Sequence, residues 1–204
     1  MSFEGRHDIR ELTDPRTMRA LAHPIRLRLL ELLATEGPLT ATQAGEHIGE
    51  SPASCSFHLR SLARYGFVAE AEGGRGRERP WRIANVRSRW TDSPDNPADL
   101  KVAARQLSRV ITDRDLGRLD EWRATQDAYP AAWQAAAGGS NSTLFVTAAE
   151  LEDVMNRLFA VIEPYLDRIE DKESRPTDAL PVKVLLYAFP TAPPATEQQG
   201  DDDA

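Results

Sequence analysis

Apolar residues fall into a helical rhythm soon after the polar opening stretch, 1–14, which has no rhythm of its own and reads as a loose N-terminus. From Pro15, Met18, Leu21 and Ala22 recur at helical spacing. His23-Pro24 breaks the rhythm, because the residue before a proline avoids helical torsions. It restarts with Ile25, Leu29, Leu30, Leu32 and Leu33 as a wide apolar face, and Gly37-Pro38 ends it. Residues 88–97, with prolines among Asp and Asn, read as a connector. Beyond it Leu100, Ala103, Ala104, Leu107, Val110 and Ile111 share one face of a helix over 100–122.

The later part mixes signals. Residues 143–147 and 182–189 read as strands, the second flanked by Pro181 and Pro190, with 131–136 as hairpin partner of the first. Thr147-Ala-Ala-Glu150 is a capping box, opening a helix with Leu151, Val154, Leu158, Ile162, Leu166 and Ile169 expected inward. The tail, 190–204, is rich in Pro, Gln and Asp and reads as disordered. No internal repeat is visible.

Between these halves lies a tighter pattern. Thr40 and Gln43 form a capping box for a short helix, which stops at Gly49, where glycine takes the torsions of a tight turn. Ser51 caps a second helix with Pro52 at its first position. Ala44 and Gly45 allow close crossing, and Ile48, Cys55, Leu59 and Leu62 fill the shared core. That is a helix-turn-helix. Ala53, Ser56, Phe57, Arg60 and Arg64 then face outward, a set suited to phosphates and base edges in a major groove.

Two strands follow, over 67–72 and 79–83, with Pro80 suggesting an edge position for the second. Their tip, Gly73-Gly-Arg-Gly-Arg77, carries arginines on a glycine-rich hairpin beside the second helix, which is the layout of a wing. It lacks the Gly-Lys-Ser/Thr ending of a phosphate loop and precedes a strand, not a helix.

Charge sharpens this picture. The 204-residue chain has net charge -7, but residues 1–90 hold 14 Arg or Lys against 11 Asp or Glu, while 91–204 hold 11 against 21. The basic excess peaks over 55–90, with 8 against 3. One module is thus built to meet an anion and the other is not. No apolar run approaches the roughly 20 residues that span a bilayer, and the opening residues have no export signal, so a cytoplasmic location is expected.

Leu21-Ala-His-Pro-Ile-Arg-Leu-Arg-Leu-Leu30, Leu39-Thr40, Ile48-Gly49, Ser51, Ser54 to Ser56, His58-Leu59 and Tyr65-Gly-Phe-Val68 closely resemble the ArsR-type winged-helix repressors. The likeness covers about 14–87. It implies a homodimeric bacterial transcription factor that occupies double-stranded operator DNA and leaves it on an intracellular signal. It places Ser54, Ser56, His58 and Arg60 at recognition-helix contacts. Thr40, Thr42, Ser51, Phe57, Arg64 and the wing residues Arg75, Arg77 and Arg79 complete the expected DNA-binding set. Phe57 departs from the family, which usually has a polar or basic residue there. Contact with a thymine methyl or sugars and plain surface packing both stay open.

The resemblance also narrows the signal. Metal-sensing members carry a cysteine pair where this chain has Thr40-Ala-Thr-Gln-Ala44. The C-terminal helices lack the paired Asp and His ligands of zinc sensors, and His7, His23, His47 and His58 are not at ligand spacing. No metal and no cofactor is expected. The single cysteine, Cys55, excludes an intrachain disulfide; it reads as a small core residue, with a redox switch near a helix N-terminus as the alternative. Trp81, Trp90, Trp122 and Trp133 read as core or interface residues.

The expected fold is mainly α with small β elements (α+β). A winged helix-turn-helix DNA-binding domain spans 15–87, a connector 88–97, and an α+β dimerisation and effector region 98–189. The dimer is expected along the helix over 98–123, through Leu100, Leu107, Val110 and Ile111. Trp122, Tyr129, Trp133, Phe145, Phe159, Tyr187 and Phe189 either line an apolar effector pocket or fill a small core. A small organic molecule or a protein is the expected effector. The competing function is a winged-helix adaptor that docks a protein instead of an operator. No Ser–His–Asp order, phosphate loop, metal cluster or nucleotide fingerprint is present, so no enzyme is expected.

Overall fold

The computed structural model describes residues 9–73, 79–84 and 87–192. A short strand, β1 (Arg10–Glu11), opens the chain and is followed by α1 (Pro15–Leu21). The Asp14 carboxylate caps α1, accepting from the Arg16 amide at 3.0 Å and the Thr17 hydroxyl at 2.9 Å. After the His23-Pro24 break α2 (Pro24–Glu36) begins, and it ends at Gly37, whose φ of +75° favours glycine. The helix-turn-helix forms as α3 (Ala41–Ile48) and α4 (Pro52–Arg64). β2 (Val68–Glu70) and β3 (Trp81–Ile83) then pair antiparallel, Val68 opposite Ile83 and Glu70 opposite Trp81.

Two expectations about these strands and the N-terminus need correction. Residues 9–12 are not loose: β1 pairs in parallel with β4 (Ser88–Arg89), inside the expected connector, and Leu12 is buried. Nor does Pro80 mark a free edge. The Trp81 N–H donates to the Leu39 carbonyl at 2.8 Å, and the Trp81 carbonyl accepts from the Leu39 N–H at 3.1 Å, so β3 is flanked on both sides there.

The 28-residue helix α5 (Ala98–Thr125) packs against α1. Small Ala103 and Ala104, nearly inaccessible, let the helices approach, and Leu100 and Leu107 join Met18, Leu21, Leu29, Leu59 and Leu62 in one core. The expected dimer stripe packs within the protomer. Leu107 is fully buried, Leu100 buried, and Val110 and Ile111 half-buried against the same core. Burying Leu100 and Leu107 there is worth about 1.5–3 kcal/mol each. α5 is also tied to α2, since Arg118 pairs with Glu31 at 2.8 Å.

The remaining elements are α6 (Ala131–Ala136), α7 (Ala148–Ile162) and α8 (Asp167–Glu170). Residues 131–136 are helix and not a hairpin strand, because their alanines favour helix and Pro130 starts it. Residues 143–147 and 182–189 are extended but belong to no ladder, so among the described residues β structure is confined to the N-terminal half. The Thr147 capping box forms, yet no residue of α7 is buried, and Leu158 is 41% exposed. Of the inward face expected here, Leu151, Val154, Ile162, Leu166 and Ile169 are half-buried and only Leu158 is exposed, so the face is covered in part. The arm is nonetheless anchored: Arg175 donates to the carbonyls of Thr35 at 2.6 Å and Ala34 at 3.0 Å, and Lys172 to that of Glu36. Among the described residues, no helix is long and apolar enough to cross a membrane.

Candidate nucleic-acid interface

The interface is built around the turn between α3 and α4. Thr40 caps α3 reciprocally, its hydroxyl accepting from the Gln43 amide at 3.2 Å while Gln43 accepts from the Thr40 amide at 2.9 Å. Gly49 closes the helix in the left-handed region, φ +69° and ψ +33°. Arg28 on α2 donates to the Ile48 carbonyl at 2.6 Å, fixing the start of the turn from outside. Gly45 packs against this turn and against Pro52, the first residue of α4. A Cβ at Gly45 would lie 2.5 Å from the Glu50 carbonyl oxygen. Ser51 then caps α4, accepting from the Ser54 amide at 3.1 Å, and Ser54 donates to the Glu50 carboxylate at 3.4 Å.

α4 has two unlike faces. Cys55, His58, Leu59 and Leu62 are buried, whereas Ala53, Phe57, Arg60 and Arg64 are exposed and Ser56 half-exposed. Phe57 stands 60% in solvent. No acidic residue occurs between Pro52 and Arg64, so the exposed face is cationic and neutral only.

His58 does not join that face, which corrects its expected place at the DNA contact. It is 8% exposed, its ring centroid 4.6 Å from that of His23, and it accepts at Nδ1 from Arg26 Nε at 3.4 Å. Burial, and then the neighbouring His23 and Arg26, hold its pKa below the ordinary value. Thr40, Ser51 and Ser54 use their side chains in caps, and Thr42 is half-buried. Cys55 is fully buried, and that burial raises its thiol pKa, as suits a core residue.

Arg79 is exposed just before β3, while the tip residues Arg75 and Arg77 lie outside the described residues. Three cations were missed by the sequence reading. Arg82, opposite Ala69 in the wing, is exposed. Arg16 and Arg19, exposed on α1, border a shallow cleft with Arg26, Ser61 and Tyr65, so they flank the C-terminal half of α4. Strand alternation would have found Arg82. Only the packing of α1 beside α4 brings Arg16 and Arg19 there.

A helix-turn-helix with a cationic outer helix, followed by a two-stranded wing, defines a winged helix-turn-helix DNA-binding domain. A family model for a helix-turn-helix domain matches residues 21–71. The HTH-type transcriptional regulator Rv0081 of Mycobacterium tuberculosis is 31% identical over 106 residues, covering 52% of this chain and 83% of the relative. Its crystal structure aligns over 48% of this chain and 89% of that one, with 32% identity and a TM-score of 0.31. A winged helix-turn-helix DNA-binding domain from Mycobacterium bovis, described as homodimeric and as a possible ArsR-family regulator, aligns at 25% identity. That alignment covers 49% of this chain and 76% of the other, with a TM-score of 0.32. The chain belongs to the HTH-type transcriptional regulators, and its motifs from Leu21 to Val68 are ArsR-like.

Proposed function

We propose that the protein is a dimeric repressor that lays α4 in the major groove of its operator and is released by a signal other than a metal. The observation that carries this is the outer face of α4. Arg60 and Arg64 stand exposed beside Phe57, with no carboxylate on the helix to oppose phosphate. In this reading Ser56, Phe57 and Arg60 reach base edges, Arg64 and the wing cations Arg75, Arg77, Arg79 and Arg82 hold phosphates, and Arg16 and Arg19 extend the phosphate track. Two copies related by a two-fold axis would set their α4 helices about 34–36 Å apart, one helical turn of DNA. The non-metal signal is supported by α3, which offers no thiol. In this reading residues 15–87 read DNA, α5 completes their core, and the chain beyond α5 assembles the dimer.

The test is selection of bound fragments from a random DNA pool, followed by gel shift of the selected site at rising salt. A palindromic site whose affinity falls linearly with log salt supports the repressor reading. Retention of no DNA at low salt, by a folded protein, overturns it in favour of a protein-docking adaptor.

A further inference from the structure

Among the described residues, twelve of the sixteen large hydrophobic side chains left exposed lie between Leu144 and Phe189. Phe145 is 99% exposed, Phe189 72%, Val182 66% and Val184 52%. Thr143-Leu-Phe-Val-Thr147 and Val182-Lys-Val-Leu-Leu-Tyr-Ala-Phe189 are rich in β-branched and aromatic residues and are extended. Among the described residues, the amides of Leu144 to Val146 and Val182 to Phe189 make no hydrogen bond. The second segment is held in place along α5, where Tyr187 bonds Thr112 at 3.3 Å and Lys183 reaches Asp115 at 3.5 Å. These are strand sequences held in extended form without the strand that would complete them.

We propose that a second copy of this chain completes them, so that the two extended segments become β-strands paired across a two-fold axis, with the apolar face of α7 in the same interface. This rests on the dimer proposed above and moves its seat from α5 to the arm, since Leu100 and Leu107 are used within the protomer.

Charge selects the second copy over a foreign partner. Residues 138–149 carry no charged side chain and 179–190 only Lys183, on a chain of net charge -7. These two segments meet their own images with Lys183 as their sole charge, and they offer a charged partner little to recognise. The area is adequate too. At 150–250 Å² per aromatic, Phe145, Tyr165, Tyr187 and Phe189 alone leave roughly 550 Å² in water. Their aliphatic neighbours bring this to the order of the 800 Å² per partner of a standard interface. Two copies of one strand about a perpendicular two-fold axis run antiparallel, the pairing that satisfies the unpaired amides and carbonyls.

Hydrogen exchange on the full chain at tens of micromolar tests this. The amides of Leu144 to Val146 and Val184 to Leu186 are expected to exchange at least about 100-fold slower than free peptide. The protection is expected to disappear in Phe145→Asp/Val184→Asp, which sediments as a monomer with its helical far-UV signal retained. In a second arm, Phe145→Cys is expected to cross-link between subunits and Val102→Cys, exposed on α5, is not. Free exchange of these amides, a monomeric wild type, or cross-linking only through residue 102 overturns the proposal. Failure to bind DNA by a protein with a protected, cross-linkable arm would sink the repressor reading and leave this one standing.

Discussion

The imidazoles of His23 and His58 pack with centroids 4.6 Å apart and planes tilted by 40°, joining the N-cap of α2 to the middle of α4. Arg26 Nε donates to His58 Nδ1, so that nitrogen must be unprotonated. Burial is the chief cause holding both pKa values below the ordinary value, with Arg26 adding to each. Helix α4 is thus seated on two histidines whose neutral forms burial favours, beside a permanent cation.

Acid should therefore loosen this seat. A histidine whose folded pKa is depressed binds more protons when unfolded. Its contribution to stability is present above the unfolded value near 6.5 and is lost as pH falls through the folded one. Urea midpoints measured from pH 8 to pH 5 should stay flat at first and then decline, at most about 1.4 kcal/mol per pH unit for each proton. His23→Gln should flatten the decline. A wild-type midpoint unchanged down to pH 5 would contradict the neutral pair.

Gly45 and Gly117 should respond oppositely to alanine. At Gly45 the added carbon would lie 2.5 Å from the Glu50 carbonyl oxygen, which is backbone and cannot swing away. A loss of about 2 kcal/mol or more is expected, with DNA binding weakened because the turn itself shifts. At Gly117, within α5, nothing lies within 4 Å, so alanine should stabilise by about 0.5–1 kcal/mol. Paired thermal melts decide, and equal effects would refute the close approach.

Arg60→Ala and Arg79→Ala/Arg82→Ala should weaken DNA binding in different ways. Losing Arg60 from the exposed face of α4 should cost about 1–3 kcal/mol and relax preference at one base pair. Losing the exposed wing cations should lower affinity for every sequence and reduce the salt slope by about one for each phosphate no longer neutralised. Arg16→Ala/Arg19→Ala should behave like the wing pair. Wild-type behaviour of all three at every salt concentration would refute the proposed surface.

What the sequence made legible was local. Thr and Ser caps, a proline at a first helical position and Gly49 specify their structures within a few residues, and α3 and α4 follow from them. His58 was misplaced although the signal existed: it lies three residues after Cys55 and four before Leu62, on their buried face. The role of α5 was harder to read. A face bearing Leu100, Leu107 and two alanines fits the protomer's own α1 as well as a partner, and only tertiary packing chooses. The strand-like runs at 143–147 and 182–189 were recognised from composition, yet pairing is a long-range property that composition does not encode.

Arg175 should be the fastening of the C-terminal arm. Its guanidinium donates to Thr35 and Ala34 at the end of α2 and to Arg168 and Ile169 in the arm, at 2.6 to 3.3 Å. Helix-end carbonyls have no partner within the helix, so a cation there satisfies several acceptors at once and suits the negative end of the dipole. Arg175→Ala leaves these carbonyls to water and removes the bridge, while the core of α1 to α5 is untouched. The expected result is a loss of about 1–3 kcal/mol seen by the arm alone. Limited proteolysis should cut between 163 and 180 sooner, while the melting of the helix-turn-helix, followed by Trp81 fluorescence, stays close to wild type. Arg175→Lys should recover only part of the effect, because an ammonium cannot span the two sets of carbonyls as the planar guanidinium does. Equal protease resistance in all three proteins would show that the arm is held to α2 by something other than this residue.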